Sequence, residues 1–143
     1  MRLDDKLKDI LVKTIDVADH SNLARFLRHK SDWKGGRVRH SAFIPPKGCR
    51  EVSTFCVDGM RDEEIWDHGD EFCKTIFRAR EELKAGVPKI YDLHLSPDND
   101  PPRHVSICGF PQDKSTLMNI AQRLASHTVL FLRSQSSFVE AQG

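Results

Sequence analysis

The chain has 143 residues and a formal net charge of +1, with 22 Lys or Arg residues against 21 Asp or Glu residues. Hydrophobic residues make up 38% and charged residues 30%, which suits a folded chain with a core and excludes a disordered one. No apolar run approaches the roughly 18 residues that a membrane-spanning helix needs, and the amino terminus lacks an apolar signal segment. We therefore predict a soluble cytoplasmic protein with one domain over residues 1–143, in which 134–143 form a loosely ordered tail.

The first half of the chain contains two helical patterns and two β-rich runs. Apolar residues recur at helical spacing from Leu3 to Ala18 and predict an amphipathic helix. Ser21 is a suitable N-cap for a short second helix over residues 22–29. After two glycines, the β-rich runs 37–44 and 51–57 flank a Pro-Pro-Lys-Gly turn, so we predict that they form a hairpin.

The second half begins with the clearest helical pattern. Three acids at 62–64 favour a helix start, and the apolar stripe continues through Phe77 before Gly86 and Pro88 end it. Gly69 inside this stripe indicates close packing or a break.

Further along, strands are predicted over 89–95, from Arg103 onward and over 128–133, with a helix over 113–126 before the last of them. This order predicts an α+β fold whose mostly antiparallel sheet of four to five strands is covered by helices. The closing strand, helix and strand leave room for one parallel crossover.

The four cysteines do not have the spacing of a metal site. Cys49, Cys56, Cys73 and Cys108 include no C-x-x-C pair. The last three lie within apolar patterns, where a free thiol behaves as a small buried hydrophobe. Glu64 and His68 are four residues apart on one helix, but acids in a first turn usually complement the helix dipole. We predict reduced thiols, no metal and no cofactor.

Charge is segregated along the chain. Residues 21–50 carry eight Lys or Arg residues and one acid, whereas residues 58–71 carry seven acids and one Arg. Such a basic segment, interleaved with Phe26, Trp33 and Phe43, is typical of a nucleic-acid-binding surface. The alternative is that the acidic helix packs across the basic segment and neutralises it.

Three histidines are candidate catalytic residues: His104, His40 and His94. His94-Leu95-Ser96 and His104-Val105-Ser106 resemble the paired His-x-Ser/Thr motifs of 2H phosphoesterases. The resemblance implies two imidazoles that act as general base and acid on one phosphodiester. In that family the two motifs lie in separate halves of the domain, whereas here they start ten residues apart.

The candidate binding residues are Arg37, Arg39, Arg103 and Trp33. Two Arg-His pairs, Arg39-His40 and Arg103-His104, would bind phosphate or carboxylate through guanidinium contacts if their strands were neighbours. No glycine-rich phosphate loop or other diagnostic catalytic sequence is present.

We therefore predict a small binding or accessory protein that acts through this Arg/His/Trp surface, with a protein partner or as a homo-oligomer. One alternative is a hydrolase or transferase of phosphate-bearing substrates that uses His104 with Arg103 or Arg39. The other is a nucleic-acid-binding module that uses the basic segment 21–50.

Overall fold

The computed structural model of the chain describes residues 16–73 and 76–133. The predicted first helix lies outside these residues except for its last three positions, and so does the predicted tail. The strands are β1 (Asn22–Leu27), β2 (Trp33–Lys34), β3 (Arg37–Val38), β4 (Glu51–Cys56), β5 (Ala79–Lys84), β6 (His94–Ser96), β7 (His104–Cys108) and β8 (Val129–Leu132). The helices are α1 (Asp62–Phe72), α2 (Val87–Ile90) and α3 (Lys114–Ser126), with 3-10 turns at Lys30–Asp32 and His40–Phe43.

Six strands form the main sheet in the order β6-β7-β4-β1-β5-β8, and every neighbouring pair is antiparallel. The α+β class with an antiparallel sheet is therefore confirmed, with six strands in place of four to five. The closing strand, helix and strand form a parallel crossover connection, because β7 and β8 point the same way and α3 crosses the sheet to connect them. The two strands do not pair with each other, since β4, β1 and β5 lie between them.

Helices cover the sheet on both faces. On one face, which we call the α1 face, Ile65 of α1 packs with Ala24 and Val57. On the opposite α3 face, Ala121 and Leu124 of α3 pack with Phe43 of the second 3-10 turn in the largest buried cluster. None of the described helices is long and apolar enough to cross a membrane.

The segment predicted as a short helix over 22–29 is the strand β1 instead. Leu23, Phe26 and Leu27 do have helical spacing, but β1 pairs with β4 on one side and with β5 on the other. Leu23 and Ala24 are adjacent and both fully buried, so both faces of this strand contact the core. A central strand that is apolar on both faces cannot be distinguished from a buried helix by periodicity alone.

The predicted hairpin of 37–44 with 51–57 is also wrong. β3 pairs with β2 across Gly35-Gly36, and β4 pairs with β1 and β7. Gly35 and Gly36 both have positive φ, 59° and 77°, as the two central residues of a tight hairpin turn require. Residues 40–43 form a 3-10 turn that packs under α3, so this part of the run never becomes strand.

Helix α1 begins where the acids predict and ends at Phe72, well before Gly86. The second half of the predicted helix contains the strand β5. Pairing of β5 with both β1 and β8 overrides its local helix propensity. Gly69 marks close packing, since a Cβ there would lie 2.5 Å from Cζ of Phe77 and 2.7 Å from Cε1 of Phe26.

The remaining predictions agree more closely with the structure. The segment 89–95 ends helix α2 and enters β6 rather than forming one strand, but β7, α3 and β8 lie where expected. Asp113 caps α3 by accepting a hydrogen bond from the Thr116 backbone N–H at 2.9 Å. All four cysteines are free. Cys56 and Cys108 are buried as predicted, whereas Cys73 is only half-buried. Burial raises the pKa of the Cys108 thiol to about 11.

Candidate functional site

One cleft lies on the α3 face, between the β2–β3 hairpin, the carboxyl end of α3 and β8. Its volume is about 580 Å³. It is lined by Gly36, Arg37, Val38, His40, Gln122, Ala125, Ser126, Thr128 and Leu130. Two of the residues selected from the sequence, Arg37 and His40, therefore lie in one cleft, although His40 belongs to a 3-10 turn and not to a strand.

The walls of this cleft carry positive charge and no acid. Arg37 is the one charged lining residue, and His40 is the one lining imidazole. The carboxyl end of α3 would add partial negative charge, but its carbonyls already accept hydrogen bonds. Ser126 Oγ donates to the Arg123 carbonyl at 2.6 Å, and Thr128 Oγ1 donates to the Ala125 carbonyl at 2.7 Å. The cleft is therefore suited to an anionic group with further polar atoms.

The hairpin sets the position of Arg37. Val38 is buried in the core and pairs with Trp33, which packs against the same core, so these two residues anchor the hairpin. Lys34 and Arg37 are the next pair in the register, directly opposite each other, and both are exposed. Among the described residues no acid forms an ion pair with either side chain. Two like charges directly opposite on a strand pair destabilise it.

The other predicted binding residues do not line this cleft. Trp33 is half-buried against the core, and Arg39 is exposed with its backbone N–H donating to the Asp32 carbonyl at 2.7 Å. Arg103 lies at the start of β7, four strand spacings from β8, which is about 19 Å along the sheet. Arg37 and Arg103, which were predicted to share one surface, therefore lie on two separate surfaces.

A second cluster forms at the start of β7, on the α1 face. His104 Nδ1 lies 2.7 Å from Oδ1 of Asp98, and the His104 side chain is 13% exposed. The loop between β6 and β7 holds this pair in place. Within it, Asn99 Oδ1 accepts from the Arg103 backbone N–H at 2.6 Å, and both Asn99 and Arg103 adopt positive φ. Non-glycine residues in that region are uncommon and cluster at functional sites.

Arg103 belongs to the same cluster, but part of its guanidinium is bonded to the backbone and is not available to a ligand. Its Nη1 donates to the carbonyls of Cys56 and Asp58, at 3.0 and 3.1 Å. This ties the start of β7 to the end of β4. The guanidinium predicted as an anion clamp is thus committed on one nitrogen to the backbone.

His68 belongs to this cluster and was not selected from the sequence. It is buried, its ring centroid lies 4.8 Å from that of Phe55 and 4.6 Å from that of Phe72, and it is hydrogen-bonded to the backbone of Pro102. Burial, followed by the charge of Arg103, lowers the pKa of His68. None of the described residues forms a hydrogen bond with its Nε2. The signal for its burial was its spacing of three from Ile65 and four from Phe72, which places it on the apolar stripe of α1.

The three histidines predicted as catalytic do not converge. His94 lies opposite Cys108, at the far end of β7 from His104, about 13 Å along the strand. Ser96, Ser106 and Ser53 lie side by side on β6, β7 and β4, between those two ends. His40 is on the opposite face of the sheet, in the cleft. The two His-x-Ser units are indeed neighbours, but their imidazoles cannot contact one phosphodiester in this arrangement.

The basic segment 21–50 is divided by the fold. Arg25 is half-buried, and its Nε donates to the Ala42 carbonyl at 2.6 Å. Lys47 and Arg50 line a second cleft of about 370 Å³ near the amino end of α3. Two acids of α1 pair with arginines outside this segment, Asp62 with Arg80 and Asp70 with Arg133.

Comparison of the chain with protein families, with curated proteins and with solved structures finds no match. Within residues 16–73 and 76–133, no three His, Cys, Asp or Glu side chains come together in a group that could hold a metal ion.

Proposed function

We propose that this is a binding protein and that the cleft beside the β2–β3 hairpin binds a ligand through a phosphate or carboxylate group. The observation that carries this proposal is Arg37, which lines the cleft and lies directly opposite Lys34 in the hairpin, with no acid among the described residues paired to either. An anion between two such cations relieves their repulsion and gains charge-assisted hydrogen bonds from the guanidinium.

The rest of the cleft supports recognition beyond charge. Gln122 offers both a donor and an acceptor, and the hydroxyls of Ser126 and Thr128 can still accept hydrogen bonds after donating to helix carbonyls. His40 adds an imidazole that can donate or accept a hydrogen bond. The ligand group that fits is therefore an anion that also carries hydrogen-bond donors, either on a small molecule or on the side chain of a protein partner.

Titration of the isotope-labelled protein with inorganic phosphate and with acetate, followed by NMR, tests the proposal. We expect the chemical-shift changes to centre on Arg37, His40 and Thr128. Arg37→Ala should weaken phosphate binding about tenfold, since a hydrogen bond to a charged group contributes about 1.5–3 kcal/mol. Arg61→Ala is the matched control because Arg61 is an exposed arginine on the α1 face.

Shifts that centre elsewhere, or an Arg37→Ala variant that binds phosphate as tightly as the parent, would contradict the proposal. Phosphorylated and unphosphorylated peptides distinguish a protein partner from a free ligand. Labelled oligonucleotides that bind at about 50 mM salt and dissociate at about 200 mM would instead support the nucleic-acid alternative.

A second candidate function is supported by the contact between His104 and Asp98. A carboxylate at Nδ1 fixes the imidazole as the tautomer that carries its proton there, so Nε2 can accept a proton from a reacting group. No described residue forms a hydrogen bond to that Nε2, and the side chain retains some exposure. This geometry supports general-base chemistry on a phosphate-bearing substrate at the start of β7.

This second candidate predicts turnover of generic phosphodiesters or nucleotides that depends on the pair. His104→Ala should lower the rate about a hundredfold or more, which is the usual contribution of a general base. Asp98→Ala should lower the rate and also shift His104 towards the tautomer with the proton on Nε2, as read from imidazole nitrogen shifts. Asp100→Asn, on the same loop, is the control. Unchanged turnover in His104→Ala would exclude this function.

A further inference from the structure

We infer that two copies of this chain associate through β8, which pairs antiparallel with β8 of the second copy and joins the two sheets into one. Strand β8 ends the sheet, and its outer side is paired with none of the described strands. Its sequence is Val-Leu-Phe-Leu, and Val129 and Leu132 are 58% and 62% exposed. Edge strands normally carry charges, prolines or bulges that prevent such pairing.

The opposite edge of the same sheet carries such protection. β6 has three residues, of which His94 and Ser96 are polar and exposed, and Pro97 follows directly. A short polar edge that ends at a proline is a poor template for another strand. The contrast between the two edges favours β8 as the strand that pairs with another chain.

A second copy fits this edge because the strand is self-complementary. In a two-fold pairing centred on Leu130, Val129 of one copy lies opposite Phe131 of the other, and Leu132 lies opposite Thr128. No charged side chain occurs from 128 to 132, so the symmetry brings no like charges together. The nearest charge, Arg133, is held by its own chain through two hydrogen bonds to Asp70, at 2.8 and 2.6 Å.

The pairing also bears on the cleft, although it does not depend on what the cleft binds. Thr128 and Leu130 line the cleft, and Leu132 of the second copy would lie beside Thr128. Each copy would thus add an apolar side chain to the rim of the other copy's cleft.

Sedimentation velocity of the full chain between about 1 and about 300 µM, a range that reports micromolar dissociation constants, tests this inference. We expect a concentration-dependent rise from the monomer mass of 16.3 kDa to twice that value. Val129→Lys and Leu132→Lys should each weaken association about tenfold or more, because the symmetry repeats every substitution. Ile90→Lys is the matched control, since Ile90 is 65% exposed on α2.

Circular dichroism shows whether each variant is folded. A parent protein that stays monomeric over the whole range overturns the inference, and so does an Ile90→Lys variant that dissociates as readily as Val129→Lys. Unaltered phosphate binding by a dissociated variant would leave the cleft proposal in place.

Discussion

Replacing Glu81 with glutamine is expected to stabilise the protein near pH 8 and to have little effect near pH 4. Glu81 is fully buried on β5, and neither carboxyl oxygen forms a hydrogen bond with any residue that the structure describes. Arg25 lies opposite it on β1, but its Nε and Nη1 donate to the carbonyls of Ala42 and Ser53 instead. Burial raises the pKa of Glu81 from 4.5 to about 8, against the opposing effect of Arg25.

The sign follows from proton linkage. Between pH 4.5 and about 8 the folded protein keeps a proton on Glu81 that the unfolded chain releases, so the free energy of unfolding falls as pH rises. At about 1.4 kcal/mol for each pKa unit, the full loss amounts to about 5 kcal/mol. Glutamine does not ionise, so the free energy of unfolding of the Glu81→Gln variant should not fall in this way as pH rises.

Urea unfolding at several pH values between about 4 and about 8.5, the window of the linkage, measures the effect. The difference in free energy of unfolding between variant and parent should grow with pH and then level off. Glu51→Gln is the matched control, because Glu51 is an exposed glutamate on β4. A difference that is the same at every pH would show that Glu81 is ionised in the folded protein.

Arg80→Ala should destabilise the protein by about 3 kcal/mol, the usual cost of removing one partner of a buried ion pair. The Arg80 side chain is 3% exposed and pairs with Asp62 at 2.7 Å and with Glu82 at 3.0 Å. Its guanidinium also lies between two rings, 4.4 Å from the centroid of Trp66 and 4.5 Å from that of Phe131. Alanine would leave Glu82 without its cation and open a gap between the rings.

Arg61→Ala provides the comparison, because Arg61 also pairs with an acid of α1 but is 80% exposed. Exposed ion pairs of this kind contribute little to stability, so Arg61→Ala should cost far less than Arg80→Ala. Chemical denaturation of both variants at one pH gives the two values. If the two substitutions cost the same, burial does not determine the contribution of Arg80.

Elements whose stabilising contacts are local were predictable from the sequence. Helix α3 combines the cap at Asp113 with one apolar stripe, and α1 begins with three acids that complement its dipole. The β-rich composition of the run after Gly35-Gly36 indicated β structure. It did not indicate which strands would pair with each other. Partner choice depends on which apolar faces meet, and that is a property of the whole chain.

The candidate site was also predictable from the sequence only in part. The sequence pairs His40 with Arg39 as an anion site, but the fold places His40 in the cleft with Arg37 and not with Arg39. Arg103 and His104 form the second predicted pair, and the sheet order places them four strand spacings away. Nothing in the local sequence assigned a partner to His104, and Asp98 contacts it because of the course of the β6–β7 loop.

Composition and local pattern thus determined the α+β class, the ends of α3, the buried thiols and the chemical types worth testing. The tertiary structure alone decided that 22–27 is the central strand, that β5 replaces the second half of a helix, and that Glu81 and Arg80 are buried. The reason is physical: a segment with apolar residues on both sides can satisfy its backbone as helix or as strand. Long-range pairing and burial on both faces of the sheet select between them.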